Sequence, residues 1–294
     1  MTMQPDRTDY HIHCNHDYCA DSSMTLSAVY DAALEAGLQE ICVLKHYSHE
    51  LPNGEDSWVN WRRTKPEAFE AFLDAFRSTP VPEGLKVLSG VETEVLSDDG
   101  TVNIPDAAME PLDLVLASNH WMPKGQGIGQ EWIPLLTEKK MPASMASDDL
   151  IPWLETVKIN GPLPYARALC NGNANAILKN PKVRVIPHFD DGFYCLRSFC
   201  IPVDDLSDDT LQEVTTPVVD ACLETGALWE ITPGGYGRRT HVIHEASRRG
   251  VRFTGTVDAH FLRAPQWGYG IIDHHKVEAV IRMAGLTRGM RECV

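Results

Sequence analysis

Seven short runs of β-branched and apolar residues are spaced along the chain, and six of them end on, or are followed within two residues by, a histidine or a carboxylate. The runs cover residues 8–13, 39–45, 86–92, 112–118, 182–188, 227–232 and 252–257. Each closes on a polar or turn residue, as strands do. Helical periodicity fills several of the gaps: residues 27–36 stop at Gly37, 66–77 run up to Pro80, 211–225 stop at Gly226 and 238–249 stop at Gly250. Glycine and proline at those points are ordinary helix terminators. Strand and helix in alternation mean a parallel sheet with helices outside it. A length of 294 residues suits one such domain. The expected fold is therefore α/β, a distorted TIM-like (β/α)7 barrel forming a single domain over residues 1–294. Residues 119–180 break the rhythm, being rich in Pro and Gly and carrying Trp121, Trp132 and Trp153. They are expected to be an insertion whose helices cover the barrel mouth.

In a β/α barrel the C-terminal strand ends converge on one face. That convergence would gather His11 and His13, then His46, Glu92, His120, His188, and Asp258 with His260. The pairs in H-I-H and D-A-H stand two residues apart and so share one face of the chain. A single histidine at a strand end is ordinarily structural or exposed, and His49, His241, His244, His274 and His275 fall in loops or helices. A whole set of ionisable groups buried together without a cation is a different matter, because the desolvation cost is large. Mixed imidazole and carboxylate donors suit zinc, iron or manganese rather than calcium, and so many donors exceed what one tetrahedral ion takes. Two or three divalent metal ions (Zn, Mn or Fe) are expected. A carboxylate such as Glu92 bridges two ions, and such a cluster acidifies a bound water while neutralising phosphoryl oxygens. The expected chemistry is hydrolysis by a metal-bound hydroxide, with Asp258 or His260 assisting proton transfer.

Composition narrows the substrate. With 26 basic against 41 acidic residues the net charge is -15, and the acidic positions are scattered. Such a chain repels a phosphate backbone, so nucleic acid is not the expected partner, whereas a small anion at a cation-filled cleft is. The first nine residues are polar, and no stretch approaches the roughly 18 apolar residues of a membrane span. The reading is a cytoplasmic protein with no membrane partner. Eight cysteines without C-x-x-C pairs suit reduced thiols. The C-x4-C spacings Cys14/Cys19 and Cys195/Cys200 are wider than usual zinc knuckles.

The ordered series D-Y-H-I-H (9–13), A-D-S-S (20–23), V-L-K-H (43–46), G-V-E-T-E (90–94), S-N-H (118–120), P-H-F-D (187–190) and V-D-A-H (257–260) resembles the polymerase and histidinol phosphatase (PHP) family. The resemblance covers most of the chain. It implies a seven-stranded distorted barrel, a trinuclear metal centre and hydrolysis of phosphate esters. Residue by residue, it implies His11, His13, His46, Glu92, His120, His188, Asp258 and His260 as metal ligands. The family's remaining ligand falls a few residues after H-x-H; Asp21 is the choice here, although the spacing is two residues longer, and His16 and Asp17 compete for the place. Lys45 stands where relatives usually carry an aspartate, and either turns outward or reaches the substrate phosphate. Similar histidinol phosphatases place arginines at the mouth, which makes Arg197 the leading phosphate-binding and catalytic candidate, with Arg238, Arg239 and Arg263 behind it. Trp121, Trp132, Trp153, Tyr194 and Trp267 are candidate pocket walls. The function these features imply is phosphomonoester hydrolysis on a small phosphorylated metabolite, histidinol phosphate being the best single guess. The alternatives are a phosphodiesterase or nuclease of the same family, and an inert metal-binding regulatory module.

Overall fold

The computed structural model describes residues 7–60, 63–125, 128, 145–189, 193–234, 240–264 and 268–287. Seven strands, β1 (Thr8–His13), β2 (Glu40–Tyr47), β3 (Lys86–Glu94), β4 (Leu114–Ser118), β5 (Val183–Ile186), β6 (Leu228–Ile231) and β7 (Phe253–Gly255), form one sheet in sequence order. Every neighbouring pair is parallel. The ring is nearly closed just past β7, where Ala259 bridges Ile12 and exchanges hydrogen bonds with His11 O (3.1 Å) and His13 N (3.0 Å). This is the expected seven-stranded barrel.

Alternation along the strands separates an interior from an outer layer. Tyr10, Cys42, Leu44, Leu114, Leu116, Val185 and Leu228 pack together as the barrel filling. Ile41, Val43 and Tyr47 belong instead to the large core beneath the helices. Gly90 is required where β2, β3 and β4 crowd inward, because a Cβ there would lie 2.5 Å from Cys42 Sγ and 3.0 Å from Leu114 O. In β1 the register slips by one residue between Asp9 and Ile12. Tyr10 therefore stays in the filling while Ile12 joins the outer core, and the bulge re-aims the chain so that both His11 and His13 face the interior.

Among the described residues the helices are α1 (Leu26–Glu35), α2 (Pro66–Ser78), α3 (Asp106–Met109), α4 (Ser147–Asn160), α5 (Leu163–Lys179), α6 (Tyr194–Ser198), α7 (Asp208–Thr225), α8 (Thr240–Arg249) and α9 (His274–Ala284). Helix α7 begins three residues before its apolar pattern does, because Ser207 caps it by accepting from Thr210 N. It ends at Gly226 in the left-handed conformation, with φ 73°. The expected insertion at 119–180 is in part regular layer structure: α5 packs on α7 as it carries the chain from β4 to β5. Asn173 of α5 anchors it by accepting from Asn119 Nδ2 at 3.0 Å. None of the described helices is long and apolar enough to cross a membrane.

Candidate metal centre

The interior alternation of β1, β2 and β3 carries His11, His13, His46 and Glu92 to the mouth, and the chain just past β4, β5 and β7 adds His120, His188, Asp258 and His260. Strands β5 and β7 stop before their expected ends, and in the segments just beyond them His188 (φ 55°) and Asp258 (φ 47°) adopt the left-handed conformation. That conformation is costly for a side-chain-bearing residue, so its presence at two donors marks backbone bent to serve the site.

Glu92 is the hub. Its Oε2 lies 3.0 Å from His46 Nε2, 3.2 Å from His11 Nε2 and 3.4 Å from His13 Nε2. Its Oε1 lies 3.1 Å from His188 Nε2 and 3.6 Å from His120 Nε2. Asp258 Oδ1 stands opposite, 3.3 Å from His11 Nε2 and 3.4 Å from His13 Nε2. The His260 ring stacks on His13 with centroids 4.3 Å apart.

The other edges of these rings are held by a second set of acids. His11 Nδ1 meets Glu230 Oε1 at 2.7 Å, His13 Nδ1 meets Asp17 Oδ2 at 2.8 Å, and His120 Nδ1 meets Glu94 Oε1 at 3.0 Å. A carboxylate on Nδ1 keeps the proton there and leaves a lone pair on Nε2. His11 and His13 then aim two lone pairs at each other across 3.2 Å, and at the oxygens of Glu92 and Asp258. Such a set repels itself unless a cation stands in the middle. Asp258 Oδ1 is buried and has no hydrogen-bond partner among the described residues. The donors present fit divalent ions, with Glu92 able to bridge two of them through its separate oxygens.

The electrostatics agree. Burial pulls the His11 imidazole down, but Glu230, Asp258 and Glu92 outweigh it and hold the ring well above the ordinary histidine value. Burial likewise pushes the Glu92 carboxyl up, yet His46, His120 and His11 drive it well below its usual range. His188 is pushed up to about 9 despite its burial, through its bond to Glu92 and the charges of Asp258 and Glu230. The buried acids call for positive charge, which protons or metal ions supply.

Asp21 does not join the cluster. It is exposed, donates its amide to His260 O at 2.9 Å and accepts from Ser23 N at 2.9 Å, so its carboxylate serves a surface turn. Asp17 reaches the site instead, bonding both His13 Nδ1 and His46 Nδ1 at 2.8 Å. His16 lies against Phe72, with ring centroids 6.3 Å apart. Lys45 has the parity of Ile41, Val43 and Tyr47; it is buried in the outer layer and donates to His46 O at 2.5 Å, which turns it away from the mouth. Arg197, on α6, forms a fork with both oxygens of Asp204 at 3.1 and 3.2 Å. Arg263 pairs with Glu35 at 2.5 Å on the exposed surface. Arg238, Arg239, Trp132 and Trp267 lie outside the described residues, as does the side chain of Tyr194. Trp121 and Trp153 are buried core residues, and Trp153 Nε1 donates to Phe199 O at 2.9 Å.

Glu230 was missed in the sequence. It is fully buried in the middle of β6, where it also accepts from Thr256 Oγ1 at 2.6 Å and His188 N at 2.7 Å. It thus fixes a ring and a backbone turn at once. Glu230→Gln puts an amide donor among these donors, and is expected to weaken metal binding by about 10–100-fold, the usual cost of losing an outer carboxylate partner. Chelator competition checks this; unchanged affinity would show that Glu230 only packs.

No family model matches the chain. Over 109 residues it is 28% identical to a protein of Caldanaerobacter subterraneus subsp. tengcongensis described as a probable phosphatase, a stretch that is 36% of this chain and 37% of that protein. A Thermoanaerobacter sp. protein with the same description also shares 28% over 109 residues, which is 39% of its length. The chain thus matches little more than a third of the length of these curated relatives. The whole barrel superposes on the histidinol phosphate phosphatase of Lactococcus lactis subsp. lactis, solved with zinc, L-histidinol and phosphate. The TM-score is 0.54, covering 96% of this chain and 95% of that one at 16% identity. The two chains share one fold. It is the architecture that the ordered motifs of the PHP family imply.

Proposed function

We propose that the chain is a metal-dependent phosphomonoesterase acting on a small phosphorylated metabolite, with histidinol phosphate the leading candidate. The observation that carries this reading is the convergence of imidazole lone pairs and acidic oxygens around Glu92, on a barrel shared with a phosphatase. The described phosphatase relatives support it over part of the chain. Bound there, two or three divalent ions would supply Lewis acidity toward phosphoryl oxygens and acidify a water. The chain's own contribution is positional. Glu230, Asp17 and Glu94 lock the rings so that their nitrogens face inward, which removes reorganisation from the reacting site. Asp258 and His260, joined through His260 Nδ1 to the backbone oxygen of Asp258 at 2.9 Å, would move a proton at the leaving oxygen.

A groove of 350 Å³ lies between the segments that leave the C-terminal ends of β2, β3 and β4, lined in part by Trp58, Leu96, Asp99 and Lys124. Its size suits a small metabolite. Lys124 Nζ stands 5.6 Å from the centroid of the Trp58 ring, giving the groove an aromatic wall and a cation. None of the donors of the metal centre lines it, and Asp99 faces Lys179 of α5, so the groove is assigned no part in the reaction. Lys45 is assigned no part in phosphate binding: Lys45→Ala is expected to leave KM unchanged while costing about 2–5 kcal/mol of stability, as truncation of a buried side chain does. A tenfold rise in KM would return it to the phosphate.

The deciding assay sets a panel of phosphomonoesters, histidinol phosphate included, beside cyclic nucleotides and single-stranded DNA. Hydrolysis of the monoesters is expected. Turnover of the diesters alone would make the chain a phosphodiesterase or nuclease, and a metal-loaded protein inert on every ester would make it a binding module.

A further inference from the structure

We propose that Asp9 is a positioning residue of the metal centre: its carboxyl clasps β1 to the segment after β7 and so sets how tightly ions lying across this seam are held. The inference rests on the metal-dependent reading above. The donor atoms of His11, His188 and Asp258 fall within 4.8 Å of one another, as do those of His13, Asp258 and His260, and both groups join β1 to the chain beyond β7. The group of His46, Glu92 and His120 comes from β2, β3 and the chain just past β4, and does not cross the seam.

Among the described residues the ladder across the seam is one bridge, Ile12 with Ala259. The extra residue of the β1 bulge falls between Asp9 and Ile12, and a bulge interrupts the main-chain rungs. Asp9 supplies the missing ones from its side chain. Its Oδ1 accepts from His11 N at 3.0 Å and its Oδ2 from Val257 N at 3.2 Å, both in buried surroundings. One carboxyl thus grips a donor residue and the neighbour of Asp258. Behind it, His274 of α9 donates from Nε2 to Gly255 O at 3.2 Å and stands 3.7 Å from Asp9 Oδ2.

Burial pushes the Asp9 carboxyl up to about 8, against the pull of the two amides and the His11 ring. With or without its proton, each oxygen keeps a lone pair for its amide, whereas a carboxamide nitrogen has none. His11 Nε2 and His13 Nε2 reach Asp258 Oδ1 across the seam at 3.3 and 3.4 Å. Metal–donor distances tolerate only about 0.2 Å, so a slip between the two segments is felt as lost affinity.

Asp9→Asn keeps the shape and removes one acceptor. Zinc titration of the full-length protein against a chromophoric chelator, with metal counts, is expected to show one class of ion held about 10–100-fold more weakly and the remainder unchanged. His260→Ala weakens the same class, so the double variant with Asp9→Asn is expected to fall short of additive, while Asp9→Asn and His120→Ala add. Val277→Ala, which hollows the core beneath α9, is the control for general destabilisation, with a lower thermal midpoint and wild-type zinc affinity. Should Asp9→Asn fail to fold, the wild type carries the test, because coupling is reciprocal: zinc loading is expected to slow hydrogen exchange at Val257 N more than at Val115 N of β4. Wild-type affinity in Asp9→Asn, a uniform loss of every ion, or equal slowing at the two amides would overturn the clasp and leave the metal centre standing. A wild type that binds no zinc would overturn the centre and the clasp together.

Discussion

Glu92→Gln is expected to lower turnover by about a thousandfold or more, exceeding the 10–100-fold cost of losing an outer carboxylate, and to strip bound metal from the purified protein. The carboxylate separates two groups of imidazoles: His11, His13 and His46 within 3.0–3.4 Å of Oε2, and His120 and His188 within 3.1–3.6 Å of Oε1. A carboxamide offers one oxygen and one amide donor. Whichever way it turns, one group of rings faces an N–H where it had an anion, and among the described residues the acid left beside both His11 and His13 is Asp258. The loss falls on charge as much as geometry, because the buried imidazoles rely on Glu92 to tolerate a cation among them. Metal analysis beside kcat measurement distinguishes the outcomes. Retention of full metal with activity reduced less than tenfold would show that Glu92 is not the bridge.

The sequence made most of this centre legible because donors at strand ends follow a rule of topology and need no tertiary detail. His11, His13, His46, Glu92, His120, His188, Asp258 and His260 required only the strand boundaries and the closure of the barrel. The choice among Asp17, Asp21 and His16 required more. It is set by a tight turn after β1, in which Asp17 N bonds Cys14 O at 2.8 Å and folds the carboxylate back onto the rings. Nothing in residue spacing encodes that reversal. Glu230 and Glu94 were different, since their signal was present and unused. An ionisable residue two positions from an inward donor, as in G-V-E-T-E, or in phase with Leu228 in a strand with no ligand at its end, has to face the interior. Lys45 follows the same logic in reverse, because its phase with Ile41 and Val43 sends it outward. The shortened β5 and β7 were hidden for a physical reason. A left-handed backbone is uncommon at any residue with a side chain, and residue spacing carries no sign of it at His188 and Asp258.

Metal loading is expected to raise the thermal midpoint, by an increment that widens as pH rises from about 6 to about 9. In the metal-free chain burial pulls His11, His13, His46 and His188 down, and neighbouring acidic groups more than offset it, holding the first three well above 6.5 and His188 at about 9. Groups whose folded values are raised contribute stability that is fully present below their unfolded value and lost as pH climbs through the folded one. Asp17, Glu92 and Asp258 run the other way: held well below their ordinary range against the effect of burial, they contribute stability that disappears on acidification. The metal-free protein is therefore at its firmest in weak acid and softens toward pH 9. Ions bind only the deprotonated rings, so protons compete with them most strongly where the metal-free fold is strongest. An ion present at about 1,000 times its dissociation constant adds about 4 kcal/mol to the folded state. For a domain of this size that is a shift of roughly 10 °C per ion. Thermal scans of chelator-treated and zinc-reloaded protein across that pH range read the increment directly. An increment that shrinks as pH rises would mean that the buried imidazoles keep their protons and that the ions bind elsewhere.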